Sequence, residues 1–219
     1  MGIISNNLAD IKSSIPSGVT LVAISKTKPV IDIMEVYMEG HRIFGENKVQ
    51  ELIGKYEELP KDIEWHLVGH LQSNKVKYIV PFVSLIHSID SIKLLSEINK
   101  QAEKLDKQVN VLLQIYIADE ETKFGLDENE LEEILNQKDS FTYIQVCGLM
   151  GMATNTDDEN VVRKEFKSLK DLFTKVKSKY FSDSVSFKEI SMGMSGDYKM
   201  AIEEGSTMVR VGSSLFGER

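Results

Sequence analysis

Leu21-Val-Ala-Ile-Ser-Lys-Thr-Lys-Pro29 is the stretch that decides the fold, because Thr20–Ile24 predicts a buried strand and Lys26 follows its C-terminal end. Burying an ammonium group without a partner is costly, so Lys26 either extends into water or acts as an amine. Desolvation lowers the pKa of a buried lysine by up to ~3–5 units and yields the neutral nucleophile of Schiff-base chemistry. The residues of this stretch alone leave both interpretations open.

The same pattern of strand followed by helix continues along the chain. The predicted strands are Thr20–Ile24, Ile43-Phe44, Glu64–Val68, Leu85–Ile89, Asn110–Ile117, Tyr143–Met150, Phe187–Met192 and Met208–Val211. A leading helix over 3–14 precedes them, and the helices predicted between and after them cover 30–40, 46–58, 73–80, 91–106, 127–137, 158–179 and 197–204. Strict alternation of this kind implies parallel strands joined by crossover helices.

The number of predicted strands indicates the architecture. Eight parallel strands predict a closed (β/α)8 TIM barrel, formed by a single domain over 1–219 with an extra N-terminal helix. The chain is shorter than the ~250 residues typical of this fold, so the barrel would be compact. An open doubly wound sheet is the alternative, but no G-x-G-x-x-G follows the first strand.

Composition excludes several classes of function. Hydrophobic residues make up 42% and charged residues 27% of the chain, and the net charge of −8 argues against a general binder of nucleic acid or anionic membranes. Cys147 is the only cysteine, which excludes an internal disulfide and fits a reduced cytoplasmic setting. No apolar run approaches the roughly 20 residues that span a bilayer, and no signal peptide is visible. The acidic runs Asp119-Glu120-Glu121 and Asp157-Asp158-Glu159 are predicted to be solvated charges at helix starts.

Glycine and serine follow the last two predicted strands. Met194-Ser195-Gly196 comes after the seventh strand, and Gly212-Ser213-Ser214 comes after the eighth. In barrels, functional groups lie at the C-terminal ends of strands, and the loops after strands seven and eight are a common phosphate site. Backbone N–H groups and hydroxyls at such places bind phosphate, but each motif alone is equally typical of a turn or a helix cap.

Two further side chains require an explanation. Arg210 lies within an apolar strand, where it either points outward between helices or faces the barrel mouth and donates to a ring nitrogen or an oxyanion. His66 and His70 are four residues apart, which resembles a zinc spacing. However, Leu67 follows His66 and the segment is predicted to be strand and loop, so we expect a structural or pocket-lining histidine and no metal site.

An amine, a guanidinium group and a phosphate cradle together fit pyridoxal 5′-phosphate (PLP) on a barrel. The chain also resembles the pyridoxal phosphate homeostasis proteins, the YggS/PROSC group, which share the barrel of the alanine racemase N-terminal domain. The matching stretches, in order, are Ala23-Ile-Ser-Lys-Thr-Lys-Pro29, Phe44-Gly-Glu-Asn47 with Val49-Gln-Glu51, Trp65-His-Leu-Val-Gly69 with Leu71-Gln-Ser-Asn-Lys75, Gly148-Leu-Met150, Ser191-Met-Gly-Met-Ser195 and Gly205-Ser-Thr-Met-Val-Arg-Val-Gly212.

The resemblance implies a role for individual residues. Lys26 would form the Schiff base with PLP, with Lys28 in the following loop, and Arg210 would face the pyridine nitrogen. The other cofactor-binding residues implied are Asn47, His66 and Met194 around the ring, and Ser195, Gly196, Gly212 and Ser213 at the phosphate.

The resemblance also implies what the protein does. It predicts a PLP-binding protein of intracellular PLP homeostasis, without catalytic turnover, with PLP as cargo and PLP-dependent apo-enzymes as candidate recipients. The racemases carry a further C-terminal domain with a catalytic tyrosine, whereas this sequence ends at Arg219, so we expect one of two bases to be lacking. The alternatives are a PLP-dependent amino-acid racemase of low activity and a cofactor-free lyase or aldolase that uses Lys26. We expect a monomer.

Overall fold

The computed structural model describes residues 2–118 and 125–218, and within them eight parallel strands close into a barrel. Each strand pairs with the next one along the chain, and the last pairs with the first through Leu21 and Val209. The strands are β1 Thr20–Ile24, β2 Ile43–Glu46, β3 Glu64–Leu67, β4 Leu85–Ile89, β5 Val109–Ile115, β6 Ile144–Gly151, β7 Glu189–Met194 and β8 Met208–Val211. The predicted TIM barrel is therefore confirmed.

Helices cover the outside of the barrel. They are α1 Ile3–Ser14, α2 Val30–Met38, α3 Val49–Glu58, α4 Val76–Ile79, α5 Ile92–Glu103, α6 Glu128–Asn136, α7 Glu159–Tyr180, α8 Tyr198–Glu203 and α9 Ser213–Phe216, with short 3-10 turns at Ser73–Lys75 and Lys138–Ser140. The predicted leading helix is α1. The side chain of Asp158 caps α7 by accepting from Asn160 N–H, as expected for a charge at a helix start. The acidic run Asp119-Glu120-Glu121 lies outside the described residues.

Side chains of the strands divide the apolar core into two parts. Leu21 and Ala23 belong to the large outer core between the sheet and the helices, while Val22 and Ile24 pack inside the barrel. This alternation follows from the two-residue period of a strand. Burying each Val, Leu or Ile side chain contributes ~1.5–3 kcal/mol, so the alternation fixes which face of β1 points inward. Lys26, two residues after Ile24, continues the inward face at the C-terminal end.

Several boundaries differ from the prediction, each for a structural reason. The predicted seventh strand included Phe187, but β7 begins at Glu189, where its pairing with Gly148 of β6 begins, and the Phe187 ring stacks on Phe173 and Phe181 with ring centroids 4.9 and 4.3 Å apart. The predicted helix over 46–58 begins later, because Glu46 completes β2. The short helix α9 was not predicted, since a single turn leaves no periodicity to detect.

Close approach of two strands requires a glycine in β6. Gly148 has a φ of 154°, and a Cβ at this position would collide with the backbone oxygen of Glu189. Only glycine fits such a conformation without strain.

Within residues 2–118 and 125–218, no helix combines the length and the apolar composition that crossing a bilayer requires.

Candidate functional site

A cavity of about 340 Å³ opens at the C-terminal ends of the strands. The structure brings into it all but one of the residues predicted to contact the cofactor, namely Lys26, Asn47, Met194, Ser195, Gly196, Arg210, Gly212 and Ser213. The exception is His66. The cavity therefore combines an amine, a guanidinium group and a serine- and glycine-rich wall, and these groups suit a ligand that carries an aldehyde and a negative charge.

Lys26 lies in a tight turn that follows β1. Its neighbour Ser25 is fully buried, whereas Lys26 is half-buried and lines the cavity. Thr27 has a φ of 65°, in the left-handed region that a β-branched residue rarely adopts. Its N–H donates to Glu51 Oε1, which holds this unusual conformation. The direction in which Lys26 leaves the strand is therefore set by groups outside the turn.

Arg210 points into the barrel, which decides between the two orientations left open by the sequence. Its Nη1 donates to the backbone oxygen and Oγ of Ser191 at 2.8 and 2.6 Å, and its Nη2 donates to Gly151 O at 3.0 Å. Burial lowers the pKa of Arg210 to about 10, partly opposed by the charge of Asp197. The guanidinium therefore stays charged near pH 7, and these hydrogen bonds fix its plane at the cavity floor.

Two buried histidines extend the hydrogen bonds of Arg210 deeper into the barrel. Ser191 Oγ lies 3.0 Å from His87 Nδ1, and His87 Nε2 lies 3.0 Å from His66 Nδ1. Burial lowers the pKa of His66 to about 3 and that of His87 well below its ordinary value, so both rings are neutral at pH 7. Arg210 can only donate, so Ser191 Oγ accepts from it. A hydroxyl oxygen accepts two hydrogen bonds and donates one, so the other two bonds run either from Ser191 Oγ to His87 Nδ1 and from His87 Nε2 to His66 Nδ1, or both in the reverse direction.

His66 therefore does not lie where the resemblance implied. It lines a second cavity, of about 530 Å³, at the opposite end of the barrel beside Thr20, Glu64 and Met208, where strands begin. The reason is register, because His66 lies in the middle of β3, below the level at which the strands end. His87 was missed by the sequence analysis, since a single histidine in an apolar strand gives no signal of its partners.

The wall formed by the loops after β7 and β8 contains converging donors. Ser195 Oγ accepts from Gly212 N–H at 3.0 Å and from Ser214 N–H at 3.4 Å, while Ser214 Oγ donates to Ser195 O at 3.4 Å. Two N–H groups directed at one oxygen atom, with the Ser195 and Ser213 hydroxyls beside them, have the donor chemistry that a phosphate group requires. The residues present thus fit a phosphorylated ligand.

Lys28 forms a different part of the cavity from Lys26. Its Nζ donates to the backbone oxygens of Phe216, Gly217 and Glu218 at 3.2, 3.0 and 3.0 Å. Gly217 and Glu218 line the cavity, so Lys28 holds the C-terminal segment against its mouth. All three protons of its ammonium group are used in this way.

Buried charges lie behind the turn that carries Lys26, and the sequence analysis missed them. Glu46, at the end of β2, is fully buried, and its Oε1 pairs with Lys55 Nζ at 2.7 Å. Burial raises the pKa of Glu46, although the hydrogen bonds from Lys55 and Ser25 oppose it.

Among the described residues, no group of three or more His, Cys, Asp or Glu side chains is placed to hold a metal ion. His70, which the sequence places four residues after His66, has its Nδ1 2.9 Å from Asp90 Oδ2.

Comparison with known proteins places the chain in a family. Residues 2–219 match the family model described as alanine racemase, N-terminal domain. A pyridoxal phosphate homeostasis protein of Aquifex aeolicus (strain VF5) is 42% identical over 200 residues, covering 91% of this chain and 86% of the relative. One from Synechocystis sp. (strain PCC 6803) is 38% identical over 213 residues, covering 96% of both chains. This chain belongs to the pyridoxal phosphate homeostasis protein family.

Solved structures agree with membership of the pyridoxal phosphate homeostasis protein family. PipY of Synechococcus elongatus PCC7942, solved with PLP bound, superposes with a TM-score of 0.90 at 35% identity, covering 98% of this chain and 100% of PipY. Alanine racemase from Bartonella henselae shares the fold alone, with a TM-score of 0.74 at 14% identity, covering 99% of this chain and 60% of the racemase. The family resemblance noted in the sequence is confirmed.

Proposed function

We propose that this protein binds PLP and acts in intracellular PLP homeostasis, holding PLP as a reversible Schiff base on Lys26 without catalytic turnover. The observation that carries the proposal is the single cavity in which Lys26, Arg210 and the Ser195–Gly212 wall converge. Support also comes from PipY, a PLP-bound relative whose whole length this chain matches.

Each part of the cavity has a chemical task in this proposal. The Lys26 amine would add to the aldehyde carbon of the ligand, a C=N bond would replace the C=O bond and the aldehyde oxygen would leave as water, and hydrolysis would reverse the step and release the ligand. The Ser195 and Ser213 hydroxyls and the Gly212 N–H bind the phosphate. Asn47 and Met194 lie beside the ring, and Gly196 leaves space in the wall.

Arg210 favours binding over catalysis. A guanidinium group cannot protonate a pyridine nitrogen, because its pKa of about 10 remains well above that of the ring. An unprotonated ring is a weak electron sink, so a bound amino acid would lose its α-proton slowly. Among the described residues that line the cavity there is no Tyr, His or Cys to act as a second base, Lys28 is engaged with three carbonyls, and the one carboxylate is that of Glu218 in the C-terminal segment at the mouth.

Spectroscopy and mass mapping test the proposal. The protein with PLP should show an imine absorption band that borohydride abolishes, and the modified peptide should carry the label on Lys26. Lys26→Ala should lose the band, while Lys93→Ala, which alters an exposed lysine on α5, should retain it. A label on Lys28, or a colourless protein at saturating PLP, would contradict the proposal, and the latter would favour a cofactor-free lyase or aldolase.

Turnover separates homeostasis from the second candidate, a PLP-dependent amino-acid racemase of low activity, which the shared racemase fold favours. We expect no interconversion of D- and L-amino acids above the Lys26→Ala control. Activity above that control would establish the racemase instead. We further propose that the protein is a cytoplasmic monomer and that PLP-dependent apo-enzymes receive the ligand, which transfer of PLP to an apo-enzyme would test.

A further inference from the structure

A cluster of three charged side chains lies behind Lys26, and we call Glu46, Glu51 and Lys55 the buried charge cluster. Lys55 Nζ donates to Glu46 Oε1 at 2.7 Å and to Glu51 Oε1 at 2.8 Å. Its third proton goes to the backbone oxygen of Ser25, also at 2.7 Å. The ammonium group is thus fully used, with the Lys55 side chain only 8% exposed and that of Glu46 not exposed at all.

The buried charge cluster forms hydrogen bonds with the residues on both sides of Lys26. On its N-terminal side, the backbone oxygen of Ser25 accepts from Lys55 Nζ, and the Ser25 Oγ–H donates to Glu46 Oε1 at 2.6 Å. After it, the N–H of Thr27 donates to Glu51 Oε1. Thr27 is exposed and has a φ of 65°, so side-chain packing does not hold it in the left-handed region. A non-glycine residue persists in such a conformation only when its surroundings impose it.

The energetics of the cluster suggest that stability is not its purpose. Removing charges from water carries a large desolvation penalty, and well-packed apolar residues commonly serve a fold equally well. Glu46 Oε2 is buried and accepts no hydrogen bond from any of the described residues, which adds to the penalty. The buried charge cluster is costly in free energy, and its contacts converge on Ser25 and Thr27, the two neighbours of Lys26. Its role is therefore to be sought at Lys26.

We propose that the buried charge cluster positions Lys26, fixing the turn from Ser25 to Thr27 so that Lys26 Nζ meets an aldehyde in the cavity along a productive direction. This inference rests on the proposed function, since it concerns formation of the Schiff base. None of the three residues lines the cavity within the described part of the chain, so they act through the backbone of the turn as positioning residues.

Two ligands that differ only at the reacting carbon separate positioning from general structural support. PLP carries an aldehyde there, whereas pyridoxine 5′-phosphate carries an alcohol and cannot form an imine. Both use the phosphate wall and Arg210. A defect in the placement of Lys26 weakens PLP alone, whereas a defect in the fold of the cavity weakens both ligands.

Glu51→Ala is the principal variant, because Glu51 is partly exposed and its removal frees Thr27 N–H without stranding Glu46 from Lys55. We expect the affinity for PLP to fall about tenfold, with the affinity for pyridoxine 5′-phosphate unchanged within about twofold. Glu51→Gln, which keeps an acceptor for Thr27, should recover most of the loss. Glu58→Ala, the same change at an exposed position of α3, should bind both ligands like the wild type.

Failure of the inference can be distinguished from failure of the proposed function. Wild-type protein without a borohydride-trapped imine on Lys26 would overturn both. A trapped imine in the wild type, together with equal losses for both ligands or no loss for either in Glu51→Ala, would overturn the inference alone. If Glu51→Ala does not fold by circular dichroism, Glu46→Gln/Lys55→Met, which removes the buried charges together, takes its place in the same comparison.

Discussion

At the scale of single residues, the feature with the largest consequence is a pair of buried, neutral histidine rings. His66 and His87 exchange a hydrogen bond inside the barrel, and Arg210 is the charged group nearest to them in that chain of hydrogen bonds. Charging His66 would cost the desolvation of a buried cation, and charging His87 would in addition place a second cation near the buried guanidinium group. The depressed pKa values of both histidines therefore carry a consequence for stability at acid pH.

Stability should fall as the pH drops below the ordinary histidine pKa of about 6.5, because the unfolded chain then binds a proton that folded His66 does not accept until about pH 3. His66 alone should remove roughly 2 kcal/mol between pH 7 and pH 5. Urea unfolding at both pH values measures this, and the loss should be smaller by about that amount in His66→Gln. Ser96→Ala, an exposed change on α5 that alters no titratable group, should keep the wild-type loss. Equal losses in wild type and His66→Gln would contradict the assignment.

At the scale of secondary-structure elements, the phosphate wall depends on two neighbouring loops together. The loops after β7 and β8 come from segments far apart in sequence, and the hydrogen bonds of Ser195 to Gly212 and Ser214 join them. The loop after β8 supplies both N–H groups, and the loop after β7 supplies the oxygen atom on which they converge. The phosphate wall is therefore a property of the pairing between neighbouring strands.

Removing both hydroxyls from this wall should weaken retention of PLP while leaving the fold intact. We expect Ser195→Ala with Ser213→Ala to lower the affinity for PLP by about tenfold or more, since each lost hydrogen bond to a charged group is worth ~1.5–3 kcal/mol. Equilibrium dialysis measures the loss, and pyridoxal without phosphate should bind the variant like the wild type. A matched change of Ser96 and Ser178, two exposed helix residues, serves as control. Equal retention of PLP would refute the phosphate assignment.

The elements could be predicted from the sequence far better than the contacts among them. The apolar run Thr20–Ile24 predicted β1 and placed Lys26 after its C-terminal end, because the composition of a short strand is a local signal. That Val22 and Ile24 face the barrel interior is known only from the structure. The position of His66 could not be found in this way, since it depends on how far β3 extends relative to its neighbours. The same holds in part for Lys55: its partner Glu51 lies one turn earlier on α3, but its other partners, Ser25 and Glu46, lie after β1 and on β2 and leave no trace in the period of α3.

At the scale of the whole molecule, Lys28 connects the first strand's loop with the C-terminal segment. It lies in the loop after β1, and it binds the carbonyls of Phe216, Gly217 and Glu218 near the C-terminus. These last residues form part of the cavity wall, so closing the barrel between β1 and β8 also closes one side of the cavity. Pairing of the first strand with the last and completion of the cavity thus involve the same segments of the chain.

Lys28→Met should loosen this wall and speed the release of PLP, because three carbonyl acceptors lose their common donor. We expect release several-fold faster than in the wild type, with a cost in unfolding free energy of about 1 kcal/mol or more. Transfer of PLP to an apo-enzyme in excess, followed by its recovered activity, measures the rate. Lys93→Met, an exposed change on α5, is the matched control. A release rate equal to that of the control would contradict a role of Lys28 in holding the wall.

The hydrogen bonds that run from Arg210 through Ser191 and His87 to His66 couple the two histidine rings to each other. Ser191 Oγ accepts from the guanidinium group and keeps both a proton to donate and a lone pair to share, so its bond to His87 Nδ1 can run in either direction. When that bond reverses, the bond between His87 Nε2 and His66 Nδ1 must reverse with it, and His66 Nε2 changes between donor and acceptor. A molecule that reaches His66 Nε2 from the cavity at the base of the barrel therefore selects the tautomer of both rings, because an acceptor there requires a protonated Nε2 and a donor requires an unprotonated one.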